Sequence, residues 1–262
     1  MPLRMALASR PPDRNTALAA IVFAAGLYGY ADPALALPWL HDAFGHHGQD
    51  GRHAEAPRIA HYAIDDGGGF VVDRSGRQPL LKFDWSPEIW ALSPSRGPRG
   101  DIIYKNDLGE PVLRATRLGG MTVFTPRRPA GSAASVSGAS SPLRLASIGP
   151  VALYQRMFQA SLRSSRAAQH LIAFEAPDVD ATSDGLIADS ATVAMEAVVR
   201  LSDRPDGKVF LARVNKIVFR VGKRPDVIFK DGVITVALVP PVGIVGRPSS
   251  RRILWLIGGG GH

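Results

Sequence analysis

The chain has 262 residues, enough for one large domain or two small ones, and nearly half are hydrophobic, so either arrangement can bury a substantial core. It contains no cysteine, which excludes disulfides, thiolate metal sites and a cysteine nucleophile. The formal charge is +8, but the basic residues are scattered; this balance favours anionic partners or surfaces and does not single out nucleic acid.

Arg4, Arg10 and Arg14 precede an apolar run from Ala17 to Leu27, and Ala34-Leu35-Ala36 follows Pro33. This order predicts a secretory signal peptide over residues 1–36, with Leu37 opening the mature chain. The run is too short for an ordinary membrane span, so the expected mature protein is exported, periplasmic and without a transmembrane segment. Residues 37–58 read as a mobile arm, with a short helix at Trp39–Phe44. Five of seven histidines fall at His41, His46, His47, His53 and His61. Gly45 and Gly48 interrupt the helix that a two-histidine zinc motif needs, so no metal site is expected there.

Residues 59–128 form a β-rich region. The triplet Gly67–Gly69 follows two aspartates and leads into Phe70-Val71-Val72. A phosphate-cradling loop needs a helix after the glycines, so a tight turn before a strand is expected. Six short strands then follow at Phe70–Asp73, Gln78–Phe83, Glu88–Ser93, Asp101–Lys105, Val112–Thr116 and Met121–Thr125. Turn residues such as Asp73-Arg-Ser-Gly76 and Asn106-Asp-Leu-Gly109 separate them, which predicts an antiparallel meander.

Residues 129–146 open with Pro, Ala, Gly and Ser almost throughout, with Val136 the only larger apolar residue before Leu143. Such a stretch reads as a flexible linker. Residues 147–257 then form an α+β region. Gly149-Pro150 suits a helix start. Val151, Tyr154, Phe158, Leu162 and Ile172, with Ala168 filling one step, recur at helical spacing and predict the buried face, with Arg156, Gln159, Arg163 and Arg166 opposite. Residues 184–201 start as a helix, but 193–201 also alternate as a strand would, and both readings stay open. Antiparallel strands are expected at Val209–Val214, Lys216–Val221, Val227–Phe229 and Val233–Val239, with a turn at Lys230-Asp-Gly232. Ile253–Ile257 is a last strand or a docking segment, and 258–262 are a glycine-rich tail. The predicted fold class is α+β: an antiparallel β-rich N-terminal half, then helix plus antiparallel strands.

Few residues suggest chemistry. Asp180, Thr182, Asp184 and Gly185 match the start of a calcium loop, but the twelfth position is Ala191, where a carboxylate is needed. Asp84 and Glu88 flank Trp85 beside Trp90, the two carboxylates near aromatics that a glycosidase needs, although Asp84-Trp-Ser-Pro87 is also an ordinary turn. No nucleotide, zinc-protease or Gly-x-Ser-x-Gly motif occurs, and no cofactor is expected. Arg213, Lys216, Arg220, Lys223 and Arg224 are the densest basic cluster. They suit an anionic envelope polymer or lipid surface, or simply protect a strand edge with charge.

The segments Asp73–Gly76, Pro79–Trp90, Arg99–Asp107 and Arg117–Pro126 resemble a family of uncharacterised exported alphaproteobacterial proteins of similar length. That resemblance implies no activity, cofactor or site. The expectation is therefore a structural or binding role in the envelope, with an envelope hydrolase using Asp84 and Glu88 as the alternative.

Overall fold

A computed structural model describes residues 57–260, except Asp178, Val179 and Ala181. The expected signal peptide, and the expected arm up to residue 56, lie outside the described residues. Within them the fold is α+β: an antiparallel sheet in the N-terminal half, then helices with a smaller mixed sheet.

The first sheet has nine strands: β1 (Ile59–Ile64), β2 (Gly69–Asp73), β3 (Leu80–Phe83), β4 (Ile89–Ala91), β5 (Ser93–Arg96), β6 (Ile102–Lys105), β7 (Pro111–Ala115), β8 (Met121–Thr125) and β9 (Arg128–Ala139). Their order is β4-β3-β2-β1-β9-β8-β7-β6-β5. The two outermost strands are separated in sequence by Leu92 alone, so the sheet must curl until its edges meet. It is an up-and-down barrel, closed by one kinked strand that pairs first with β3 and then with β6. Residues of matching parity fill it. Tyr62, Phe70, Leu81, Leu92 and Leu113 are fully buried, with Val72, Phe83 and Val123 between them. Each such side chain contributes about 1.5–3 kcal/mol on removal from water. The glycine triplet makes the expected turn: Gly67 and Gly68 have φ 99° and 76°, and Ile64 N–H donates to the Gly68 carbonyl at 3.0 Å.

β9 corrects the reading of 129–146 as a linker. The segment through Ala139 is a strand held between β8 and β1. Its side chains carry almost no β signal; β8 pairs with its first half and β1 with its second, so the flanking strands supply the backbone hydrogen bonds. The chain after β9 is also tied down. Leu143 N–H donates to Asp73 at 2.9 Å, and Leu145 and Ile148 pack into the C-terminal core.

The C-terminal half contains α1 (Pro150–Ala168), β10 (Ala173–Glu175), α2 (Asp184–Ser202), α3 (Gly207–Leu211), β11 (Lys216–Val221), β12 (Asp226–Lys230), β13 (Val233–Leu238) and α4 (Ser250–Ile257). α2 settles the open choice at 193–201. It is helical throughout and apolar on nearly every side, as a helix surrounded by protein must be; that all-round apolarity produced the strand-like alternation. The sheet order is β10-β11-β13-β12. β11 pairs in parallel with β10 and β13, while β12 and β13 form the expected antiparallel hairpin. Ile217, Phe219, Ile234 and Val236 face the helix layer.

Three further expectations change. The stretch 209–214 is helix and turn, not strand: α3 ends at Leu211, with Val209 exposed and Leu211 buried. Of the two readings of Ile253–Ile257 the strand falls, because the run belongs to α4, whose N-cap Ser249 accepts from Arg252 N–H at 3.1 Å. Lastly, α1 is rotated from its predicted orientation. Leu153, Ala160 and Ser164 face the core, whereas Val151, Tyr154, Phe158 and Leu162 face outward. Beyond Leu153 and Met157 the inner face is built of small residues, Ala160, Ser164, Ala167 and Ala168, which let α1 pack closely on α2.

Candidate functional sites

Asp84 and Glu88 leave the same loop in different directions. Glu88 is fully buried where the barrel meets the C-terminal half. Its two oxygens accept from the backbone N–H (2.8 Å) and hydroxyl of Ser250, the first residues of α4. Arg247, with a side chain only 2% exposed, lies 3.7 Å from Glu88, binds Asp189 and donates to the Ile89 carbonyl at 2.9 Å. Arg200 donates to Ser250 Oγ at 2.8 Å. Beside them Asp107 accepts from Ser249 N–H (2.8 Å) and Oγ–H (2.6 Å). Two carboxylates at the start of α4 suit the helix dipole. Glu110 extends the joint towards Arg251 at 2.7 Å. Partial burial pushes the Glu110 carboxyl up, but hydrogen bonds from Arg251 and Asn106 outweigh it and leave the group below the usual range. This joint is structural. Glu88 has no free oxygen and no solvent access, so it does not share a catalytic cleft with Asp84. The Pro248-Ser249-Ser250 cap ahead of an apolar run was a readable helix-start signal.

Asp84 instead lies on the outer wall of the barrel. Its carboxylate oxygens are 3.0 and 3.1 Å from His61 Nε2, and His61 Nδ1 is 2.6 Å from Ser137 Oγ. His61 alternates with the inward-facing Ala60 and Tyr62, so it projects outward from β1. Ser137 reaches it because β9 bulges there: His61 pairs with Gly138 and Tyr62 with Val136, leaving Ser137 as the extra residue. Gly69 makes the approach of His61 and Asp84 possible. A Cβ at that position would lie 2.6 Å from His61 Cε1 and 2.7 Å from Asp84 Oδ2. The indole of Trp85, 58% exposed, lies over neighbouring Gly68. Neither His61 nor Ser137 stood out in the sequence as a partner for Asp84. The only local hint was a glycine after a serine in what proved to be a strand, a frequent sign of a bulge.

The five basic residues do not converge on one face. Arg213 stacks over the Phe229 ring, with its guanidinium 5.3 Å from the centroid. Lys216 and Arg220 share the sheet face turned away from the helices, and Lys216 Nζ lies 2.8 Å from Glu175. Lys223 and Arg224 are exposed in the turn after β11. The acidic loop is a helix lead-in: Asp180 Oδ1 accepts from Thr182 N–H and Oγ–H and from Ser183 N–H. Those hydrogen bonds hold the Asp180 carboxyl below its ordinary value. No cluster of metal-ligating side chains occurs among the described residues.

Two surface features remain. An open depression of about 660 Å³ is lined by Ile103, Arg114, Phe124 and Arg251, with Trp90 at one side. The more unusual feature is the outward face of α1. Val151 and Tyr154 are each 72% exposed, and Phe158 and Leu162 continue the stripe, with Tyr154 and Phe158 stacked 6.5 Å apart. Arg156, Arg163 and Arg166 are the charged residues of this helix, which has no acidic residue. No described helix is long and apolar enough to cross a membrane.

No curated protein and no solved structure matches the sequence. Residues 40–257 match the model of a domain of unknown function, DUF4908, and the chain belongs to that family.

Proposed function

We propose that the protein is exported and acts at the cell envelope as a binding protein that attaches to an anionic lipid surface through α1. The observation that carries this reading is the exposed stripe of Val151, Tyr154, Phe158 and Leu162 on a helix whose charged residues are all arginine. Scattered surface apolar residues are ordinary; four along one helix face mark an interaction surface. Apolar side chains gain from the boundary between headgroups and acyl chains, and flanking arginines gain from anionic headgroups. A hydrated polysaccharide offers the second contribution without the first, so the stripe favours lipid. The charge acts in the same sense, since loss of Arg4, Arg10, Arg14, Asp13 and Asp32 with the signal peptide takes the full chain's +8 (31 basic, 23 acidic) to 31−3 minus 23−2, or +7, and the N-terminal Arg14, apolar run and Ala34-Leu35-Ala36 support export.

Co-sedimentation with vesicles of phosphatidylcholine alone, or mixed with phosphatidylglycerol, tests the lipid part. Binding is expected to the mixed vesicles and to fall as salt rises, the screening length being about 8 Å at physiological ionic strength. Tyr154→Ser combined with Phe158→Ser should abolish binding without changing the melting temperature. A Lys216→Gln, Arg220→Gln, Arg224→Gln variant should weaken binding less, because those residues lie away from α1. Binding that survives the α1 variant, or a stable dimer that conceals the stripe, overturns the reading. Intact mass of envelope-derived protein tests export: Leu37 should be the first residue, and a full-length cytoplasmic species contradicts it.

A further inference from the structure

We infer that Ser137, His61 and Asp84 form a hydrolytic triad on the outer wall of the barrel, acting on carboxylic esters. This site is independent of α1. Its geometry assigns the protons. Asp84 accepts from Nε2–H of His61 at 3.0 Å, which leaves Nδ1 as the acceptor for the hydroxyl of Ser137 at 2.6 Å. Hydroxyl, imidazole and carboxylate thus stand in relay order, with the two ring nitrogens exchanged relative to the chymotrypsin arrangement. The alternative acceptor of the Ser137 hydroxyl, the His61 carbonyl, is more distant at 3.2 Å.

Three features argue for a built arrangement rather than a chance surface contact. A β-bulge supplies Ser137 as an unpaired residue at the histidine, and bulges commonly re-aim side chains beside active sites. Gly69 leaves the space in which His61 and Asp84 meet. Beyond Ala134, β9 extends past its pairing with β8, so one backbone edge next to Ser137 is released from that strand. Peptide N–H groups on such an edge are the kind of donor that a tetrahedral oxyanion requires.

In the forward step the Ser137 Oγ–carbon bond forms at the ester carbonyl, and the hydroxyl proton moves to His61 Nδ1. The tetrahedral oxyanion collapses, the ester carbon–oxygen bond breaks, and His61 returns the proton to the leaving alcohol. Water then attacks the acyl-serine by the same relay, releasing a carboxylic acid and restoring Ser137. No oxidant, reductant or other co-reactant is needed. His61 and Asp84 are partly exposed and Ser137 lies on an open strand, so an unactivated ester must be held elsewhere on the molecule, with the exposed Trp85 indole as a flanking contact, whereas an activated ester needs only the relay. Ser137 and His61 are the catalytic residues, and Asp84 is a positioning residue.

The test uses the full chain with p-nitrophenyl acetate and a fluorophosphonate probe. The parent should hydrolyse the ester and be phosphonylated at Ser137, located by peptide mass spectrometry. Ser137→Ala should lose both signals, with the rate falling roughly 10²-fold or more. His61→Gln should do the same while keeping the parent's circular dichroism spectrum. Asp84→Asn should lower kcat at constant KM, and Asp84→Glu should restore part of it. Ester turnover by imidazole alone would survive Ser137→Ala, so equal rates in parent and variant overturn the proposal. So does a parent that is neither active nor labelled, or a label on another residue.

Discussion

Asp84 and Glu88 stand four positions apart on one loop, yet they belong to opposite kinds of polar network. Glu88 is sealed at the joint between the barrel and α4, with each oxygen occupied. Asp84 sits in solvent and touches a single imidazole. Both networks combine a carboxylate, a hydroxyl and a nitrogen donor, a guanidinium at Glu88 and an imidazole at Asp84. Burial decides the difference: a desolvated carboxylate must have every lone pair satisfied and so becomes part of the scaffold, whereas an exposed one can be left with spare capacity.

Removing the buried member should have the largest effect. Glu88→Ala leaves Arg247 buried with one carboxylate fewer, and loss of one partner from a buried pair costs about 3–5 kcal/mol. Urea denaturation measures this; a loss below about 1 kcal/mol would mean that the joint is far wetter than its geometry implies. Asp107→Ala comes next. It removes two hydrogen bonds from Ser249, one of them at the start of α4, but Asp107 is exposed and water competes for it, so each bond contributes about 0.5–1.5 kcal/mol. Asp84→Ala should change stability by no more than about 0.5 kcal/mol, as surface substitutions usually do, while lowering the proposed ester turnover. If Asp84→Ala destabilises as much as Glu88→Ala, the contrast between the loop's two carboxylates disappears.

Acid should distinguish the regions more gently. For Asp73, partial burial raises the carboxyl, but hydrogen bonds from Ser75 and Leu143 and the charge of Arg144 outweigh it, so the folded value is lowered; Glu110 is lowered likewise. A lowered folded value gives stability that is fully present above the unfolded values, about 3.9 for Asp and 4.3 for Glu, and lost as pH falls through the folded ones. Melting temperature should therefore begin to fall just below those unfolded values. Asp73→Asn combined with Glu110→Gln should flatten that fall.

The sequence made most of the barrel legible and hid its closure. β2, β3 and β6 to β8 announce themselves through apolar residues bounded by Asp, Asn, Ser and Gly turns. β9 does not, because Ala133, Ala134 and Ser135 carry no pattern; β1 and β8 impose the strand from either side. In α1 the period was correct and the face inverted. Periodicity fixes which residues share a side, not which side meets the core, and here close packing on α2 selected the small residues. At the candidate triad, Asp84 was visible as a carboxylate near aromatics. Its partners were not, because Ser137 lies 76 residues from His61 and only the bulge aligns them.

The joint at α4 also sets an order of assembly. The barrel strands occupy one unbroken stretch of chain, so as the polypeptide is made from its N-terminus every strand has its partner before the C-terminal half exists. Ser249 and Ser250 lie 142 and 162 residues after the carboxylates they meet. Until they arrive, Asp107 and Glu88 are hydrated and the end of the barrel is unsealed. Long-range contacts of this kind form late, because the intervening chain must first be ordered. The joint therefore closes only after the chain has reached Ser250, and until then Glu88 is a solvated carboxylate in the place where the folded protein buries it.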